Sequence, residues 1–356
     1  KGMKLLIAAG GTGGHIFPGV ALAEAFMGQG KGCEVVFVGT RQGLEGGIIP
    51  RYGFKLLFIE AHQFQGQSVF GKAATLIRLL QGIRAASVIL RLEKPDAIIG
   101  MGGFTSVPII LAGVKLGIPS FIHEQNVEPG LANKLLSRFA RCTFTSFDAT
   151  KDHLGTKKVL HTGNPLRKTL KIIKEGKPEG IFSVFIFGGS RGARSINESI
   201  IALLPYMESC KNIMVYHQTG PEDYERVKGA YNGTGLGHEV FPFTDHMEKY
   251  YSMADMAISR SGATTIFELA FFRKAAILVP YPFSAGQHQR ANALHVERLG
   301  GALVLENDQL SGERLHGLIK GLMDKPDELR AMGEKAGRLY IEDAAERIIA
   351  GILNGI

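Results

Sequence analysis

Short, unbroken apolar runs recur along this chain, and most lead into a glycine-containing turn and then into apolar positions at helical spacing. The first series predicts strands at Leu5–Ala9, Glu34–Val38, Ala97–Gly100, Ser120–His123 and Thr143–Ser146, with helices opening at Pro18, Ala73, Val107 and Leu131. A second series predicts strands at Ser183–Phe187, Ile213–His217, Glu239–Phe241, Met256–Ser259, Ala276–Val279 and Ala302–Leu305, followed by a helical pattern from Asp327 to Leu353. Continuous apolar strands joined through helices indicate parallel sheets covered on both faces. The expectation is an α/β protein of two doubly wound, Rossmann-like domains facing a cleft. A linker is expected near His161-Thr162-Gly163-Asn164-Pro165, where glycine and Asn-Pro punctuate the chain.

Three glycine clusters stand directly after predicted strands: Gly10-Gly11-Thr12-Gly13-Gly14-His15, Gly100-Met101-Gly102-Gly103 and Gly188-Gly189-Ser190-Arg191-Gly192-Ala193. Without a Cβ, such turns let backbone N–H groups approach an anion while the next helix N-terminus presents its partial positive charge. A dinucleotide fingerprint is not met, because Ile16 stands where a third Gly or Ala is needed and Thr40-Arg41 where an acid is needed. One such loop is explained as well by tight strand–helix packing. Three together point to a phosphate-bearing or similarly polar ligand.

The 356 residues, 45% hydrophobic with 46 glycines and no repeat, suffice for two cores. Cys33, Cys142 and Cys210 are isolated and odd in number, which disfavours a disulfide framework or a CxxC metal site and suits a reducing compartment. No signal-peptide pattern surrounds Leu5–Ala9, and the uncharged run from Ala97 to Val114 is broken by Gly102-Gly103 and Pro108, so it reads as strand, loop and helix start. Net charge is +8, unevenly placed: between Glu60 and Glu93 no acid occurs, while Lys72, Arg78, Arg84 and Arg91 do. Interleaved Phe64, Val69, Phe70, Leu76, Ile77, Leu79, Leu80 and Ile83 exceed one core stripe. A solvated helix face is the plain reading of the charges. The surplus apolar surface favours an anionic bilayer, and no nucleic-acid-binding motif accompanies the charge.

Read with their neighbours, the loops become specific. The first cluster with Pro18, Gly100-Met101-Gly102-Gly103-Phe104 with Ser106 and Pro108, His123-Glu124-Gln125-Asn126, Thr162-Gly163-Asn164-Pro165 with Arg167, the third cluster, and Arg260-Ser261-Gly262-Ala263 with Glu268 together resemble the MurG family, in order along almost the whole chain. These transferases move N-acetylglucosamine from UDP-GlcNAc to lipid I, making lipid II for peptidoglycan. The resemblance implies a GT-B fold and an inverting reaction. It implies an acceptor and membrane domain at 3–163, a UDP-GlcNAc domain at 164–340, and a C-terminal helix at 341–356 packing back on the first domain. It further implies a peripheral position on the cytoplasmic face of the bacterial plasma membrane, within reach of a cell-wall synthesis complex.

The same resemblance assigns UDP-GlcNAc contacts to Thr12, Gly13, Gly14, His15, Asn126, Arg167, Gly189, Ser190, Phe243, Thr244, Ala263, Thr264, Thr265, Glu268, His288 and Gln289. It assigns the acceptor diphosphate to Gly13, Gly14, Gly102 and Gly103. The residue chemistry agrees: Gly188-Gly189-Ser190 offers backbone donors and a hydroxyl to a diphosphate, Arg167 a fixed charge, and Glu268 a carboxylate for the ribose hydroxyls. The family segment at 287–289 often opens with Asp, and Gln287 stands there, so no acid role carries over. No Asp-x-Asp occurs, so no tightly bound metal or other cofactor is expected, while loosely associated magnesium stays open. His15 is the candidate base, with phosphate binding or helix capping as equal alternatives and an acid elsewhere also open. His123 and Glu124 are as readily structural groups, since HExxH is absent. A UDP-sugar epimerase, a diacylglycerol glycosyltransferase and a non-enzymatic nucleotide-sugar sensor are the rival readings.

Overall fold

The computed structural model describes residues 2–60, 69–173, 179–208, 210 and 212–355. The chain divides into two compact units, Lys1–Lys168 with Ile341–Ile356, and Thr169–Tyr340. Unit 1 runs β1 (Lys4–Ala8), α1 (Gly13–Met27), β2 (Glu34–Gly39), α2 (Glu45–Ile48), β3 (Lys55–Phe58), α3 (Val69–Glu93), β4 (Ala97–Gly100), α4 (Ser106–Lys115), β5 (Ser120–Glu124), α5 (Leu131–Leu136), β6 (Cys142–Thr145) and β7 (Val159–His161). Unit 2 runs β8 (Phe182–Phe187), α6 (Arg194–Met207), β9 (Ile213–Gln218), α7 (Tyr224–Tyr231), β10 (Gly237–Phe241), α8 (Met247–Met253), β11 (Met256–Ser259), α9 (Ala263–Phe271), β12 (Ala275–Leu278), α10 (His288–Arg298), β13 (Ala302–Val304), α11 (Gly312–Met323) and α12 (Pro326–Gly337). The last helix, α13 (Ala344–Asn354), belongs to unit 1.

The two sheets are wholly parallel, in the orders β3-β2-β1-β4-β5-β6-β7 and β10-β9-β8-β11-β12-β13. Each winds outward in both directions from a central pair, β1/β4 and β8/β11. At such a switch point the two following loops diverge and leave a crevice beyond the strand ends. The loop after β1 is the first glycine cluster, that after β4 holds Gly102-Gly103, and that after β8 is the third cluster. The loop after β11 holds Arg260-Ser261-Gly262. Topology thus delivers the chain's most ligand-suited turns to the two places where an α/β sheet binds ligands.

Helices cover both faces because both strand faces are apolar. One core of unit 1 packs Leu5, Ile7 and Phe37 against Leu22 and Phe26 of α1 and Ile348, Ile349 and Ile352 of α13. The other packs Leu6, Ile98 and Ile122 against Ala86 and Leu90 of α3, Ile110 of α4 and Leu136 of α5. The close fit of α13 depends on missing side chains, since a Cβ at Gly351 would lie 2.5 Å from Phe144 and one at Gly355 2.8 Å from Phe121.

Several boundaries differ from the sequence expectation. Helix α1 begins at Gly13, placing Pro18 inside it, where the proline releases only the Gly14 carbonyl from the ladder. The edge strands β3 and β7 escape a periodicity reading because they are short and only partly buried. The helical pattern from Asp327 to Leu353 is two helices, α12 and α13, separated by 338–343. The stretch 161–165, expected as a linker, is built into unit 1: Thr162 and Asn164 are buried, and a Cβ at Gly163 would lie 2.8 Å from Ile341. Of the basic, apolar stretch, Phe64 lies outside the described residues, and so do the side chains of Val69, Phe70, Lys72 and Leu76. No helix among the described residues is long and apolar enough to cross a membrane.

Candidate functional site

In unit 1 the first two glycine loops close around one histidine. His15 lies in the first turn of α1, and its Nδ1 is 3.2 Å from the carbonyl oxygen of Gly10. A carbonyl only accepts, so Nδ1 carries the proton and, in the neutral ring, Nε2 carries the lone pair. The ring rests on the second loop, where a Cβ at Gly102 would stand 3.0 Å from Nε2. Gly102 and Gly103 have φ of 98° and 75°, values that L side chains disfavour, so glycine is required there twice over. Ser106 holds this loop from below, accepting from Gly102 N–H at 3.1 Å. Arg167 closes unit 1 with its guanidinium 4.4 Å from the Phe17 ring.

His123 and Glu124 resolve as structural groups. His123 is fully buried, with Nε2 3.2 Å from the Gly163 carbonyl, and burial pushes its pKa down to about 4, so the ring is neutral. Glu124 accepts from Asn126 N–H at 2.9 Å, Asn126 Nδ2 at 3.1 Å, Gly130 N–H at 3.1 Å and Asn133 Nδ2 at 2.8 Å. Its carboxylate is therefore the template of the loop that presents Asn126. Two groups escaped the sequence reading. Asn133 bridges Glu124 and the His123 carbonyl, with its Oδ1 buried and without a partner among the described residues. Glu45 is fully buried under the first loop and accepts from Gly11 and Thr40. Glu45 carries no local signal, since an acid opening a helix is ordinary.

In unit 2 the third loop is forced by backbone proximity. A Cβ at Gly192 (φ 77°) would fall 2.0 Å from the Thr219 oxygen, and one at Gly220 (φ 81°) 2.2 Å from the Arg191 oxygen. Gly189, at φ 91°, and Ser190 are exposed at the tip. Arg260 ties the surroundings together, donating to Val279 O, Pro280 O, Asn307 Oδ1 and Ser195 Oγ, with Tyr281 packed on its guanidinium. Burial lowers its pKa to about 10, which leaves it charged at neutral pH. Gly262 precedes α9, Ala263 is buried, and the hydroxyl of Thr264 is buried without a partner among the described residues. Thr265 is half-buried one position on.

Glu268 is buried, not the exposed glutamate of an ordinary helix face, and accepts from Tyr251 Oη at 2.8 Å. Phe243 is exposed beyond β10, and Thr244 Oγ1 accepts from His246 N–H. Gln289 accepts from Tyr281 N–H at 3.0 Å, which fixes its amide. His288 opens α10 beside Gly286, after Gln287 in the left-handed region at φ 54°.

The glycosyltransferase family 28 N-terminal domain matches residues 5–145, and the family 28 C-terminal domain matches residues 183–348. The chain is 40% identical over 357 residues to the UDP-N-acetylglucosamine--N-acetylmuramyl-(pentapeptide) pyrophosphoryl-undecaprenol N-acetylglucosamine transferase of Citrifermentans bemidjiense, covering 99% of each chain. It belongs to the MurG transferases of glycosyltransferase family 28. The crystal structure of Acinetobacter baumannii MurG superposes with a TM-score of 0.81 at 28% identity, covering 99% of both chains, which makes the architecture GT-B. A putative UDP-N-acetylglucosamine 2-epimerase from Listeria monocytogenes superposes at 0.72 with 14% identity, covering 99% of this chain and 96% of that one. That likeness is of fold alone, so what separates a MurG transferase from an epimerase lies in the loops and the sequence.

Proposed function

We propose that this protein transfers N-acetylglucosamine from UDP-GlcNAc to the C4 hydroxyl of the N-acetylmuramyl sugar of lipid I, inverting the anomeric carbon and releasing UDP. The observation that carries the mechanism is the seating of His15. With its proton on Nδ1 bonded to Gly10, Nε2 is the basic atom, and it takes the 4-hydroxyl proton as the oxygen attacks. Backbone donors of Gly13, Gly14 and Gly103 bind the acceptor diphosphate, Gly102, whose own N–H is taken by Ser106, leaves room for it beside them, Thr12 borders that site, and Asn126, set by Glu124, addresses the donor sugar or diphosphate. In unit 2 the N–H groups around Gly189, the hydroxyls of Ser190, Thr264 and Thr265, and the N-terminus of α9 at Ala263 stabilise departing UDP. Arg167 adds a fixed charge, and a loosely associated magnesium would supply further positive charge there. Glu268 holds the ribose, the backbone at Phe243-Thr244 the uracil edge, and His288 with the Gln289 NH₂ the sugar hydroxyls.

Exposed apolar and basic groups on two elements of unit 1 support attachment to the cytoplasmic membrane surface. Helix α3 exposes Ile77, Leu80, Val88 and Leu92 beside exposed Arg78, Arg84 and Arg91. The α5 region adds Leu131, Leu135 and Phe139, spaced one helical turn apart, with exposed Arg138 among them and Lys134 paired with Glu128. Apolar groups ringed by cations suit an anionic lipid surface.

Turnover of UDP-GlcNAc with a water-soluble lipid I analogue, with the product linkage determined, tests the reading. A β-1,4 disaccharide supports it; donor isomerisation without acceptor, or no turnover, refutes it. His15→Ala should lower kcat by about a hundred- to ten-thousand-fold with UDP affinity nearly intact, and should abolish the acidic limb of the pH–rate profile.

A further inference from the structure

The Gly10 carbonyl and the Gly11 N–H are the two ends of one peptide group. The carbonyl accepts from His15 Nδ1 at 3.2 Å, and the N–H donates to Glu45 Oε2 at 3.1 Å. A buried carboxylate and the imidazole are thereby joined through a single amide. The other donors to Glu45, Thr40 N–H and Thr40 Oγ1 at 2.7 Å, are also neutral. Room for this carboxylate is kept from three directions. A Cβ would lie 2.8 Å from Oε1 at Gly10, 2.4 Å from Cγ at Gly39 and 2.0 Å from Oε2 at Gly43. An ordinary helix-start acid would need none of these vacancies.

We propose that Glu45 is a positioning residue that sets the basicity of His15 through the Gly10–Gly11 peptide. An anionic acceptor on the N–H draws the amide proton and shifts electron density to the carbonyl oxygen, which then holds Nδ1–H more firmly and stabilises the imidazolium formed as the base takes its proton. The arrangement has the logic of a carboxylate orienting a catalytic histidine, with a peptide group inserted between them. The other ionisable groups around the ring act differently. His123 of β5 is held neutral by burial and so sets no charge against the ring. Glu124 of β5 is committed to the Asn126 loop, and Arg167 stacks on Phe17. Glu45 reaches His15 through a hydrogen-bonded path of one peptide group.

This inference rests on His15 being the base, and the test separates the two. The His15 imidazole is titrated by NMR in the full chain, beside the pH profile of kcat. Loss of the Glu45 charge in Glu45→Gln disfavours the imidazolium, so the His15 midpoint should fall by about one unit and the acidic limb should move to lower pH with it. Thr40→Val withdraws one donor from the carboxylate, leaving it more basic toward Gly11, and should move the midpoint upward; it also serves where Glu45→Gln does not fold. In a His15→Ala background, Glu45→Gln should change the residual rate by less than about twofold, because residues acting through one another are non-additive. A His15 midpoint unmoved in a folded variant overturns the proposal. An acidic limb that survives His15→Ala refutes His15 as base, while the NMR midpoint still reports on Glu45.

Discussion

Replacing Glu124 with glutamine changes almost no volume yet should cost unit 1 several kcal/mol. Each carboxylate oxygen takes two donors: Oε1 from Asn126 N–H and Nδ2, and Oε2 from Gly130 N–H and Asn133 Nδ2. A glutamine offers one acceptor and one NH₂, so either orientation sets its NH₂ against two N–H donors. Turning the Asn133 amide does not rescue the arrangement, because Nδ2 also donates to the His123 carbonyl at 3.2 Å. Two charge-assisted bonds are lost and buried donors are orphaned, about 3–5 kcal/mol in all. For a unit of about 180 residues, each kcal/mol shifts Tm by roughly 2–4 °C, so a fall of about 10 °C is expected. Scanning calorimetry of the full chain reads it, and transfer should slow in parallel because Asn126 loses its template. A Glu124→Gln protein melting within about 2 °C of its parent would refute the account of this network.

Other outcomes follow from the same geometry. Glu268→Ala should weaken UDP binding by up to a few kcal/mol, and Tyr251→Phe, which removes the hydroxyl 2.8 Å from that carboxylate, by less; unchanged calorimetric UDP affinity in folded Glu268→Ala removes the residue from the site. Charge reversal of Arg78, Arg84, Arg91 and Lys72 should release the protein from anionic liposomes in co-sedimentation, at about 1 kcal/mol per charge, and persistent binding rules out this face. Burial lowers the pKa of His123 to about 4 and of His217 to about 3, from 6.5. The unfolded chain therefore takes up protons first, so stability is fully present above pH 6.5 and falls steadily as pH drops toward those values. The two sites contribute on the order of 3 and 5 kcal/mol to that loss, and His123→Gln or His217→Gln should flatten the dependence of Tm on pH.

Features that depend on neighbours in the chain were legible from the residues alone. An apolar run followed by a glycine cluster is a strand ending in a tight turn because the cause, missing Cβ atoms next to an extended segment, is local. The β1, β4 and β8 loops and the two-domain α/β architecture were visible on that ground, whereas the His-Glu-Gln-Asn stretch stood out only through the family resemblance. Tertiary structure decided what local pattern leaves degenerate. Leu131, Leu135 and Phe139 have the spacing of a core stripe, and only the packing of α5, which turns Leu136 and Asn133 inward, makes them an exposed face. Glu124 stays open between a structural and a functional role in the sequence until four donors converge on it. Glu45 reads as a helix-start acid until Gly10, Gly39 and Gly43, from separate stretches of chain, leave a carboxylate-sized space against the Gly11 amide. Pattern along a chain reports which face a residue takes within its own element. The charge, burial and partners of that residue are set by elements distant in sequence, and these determine whether a polar group is structural or chemical.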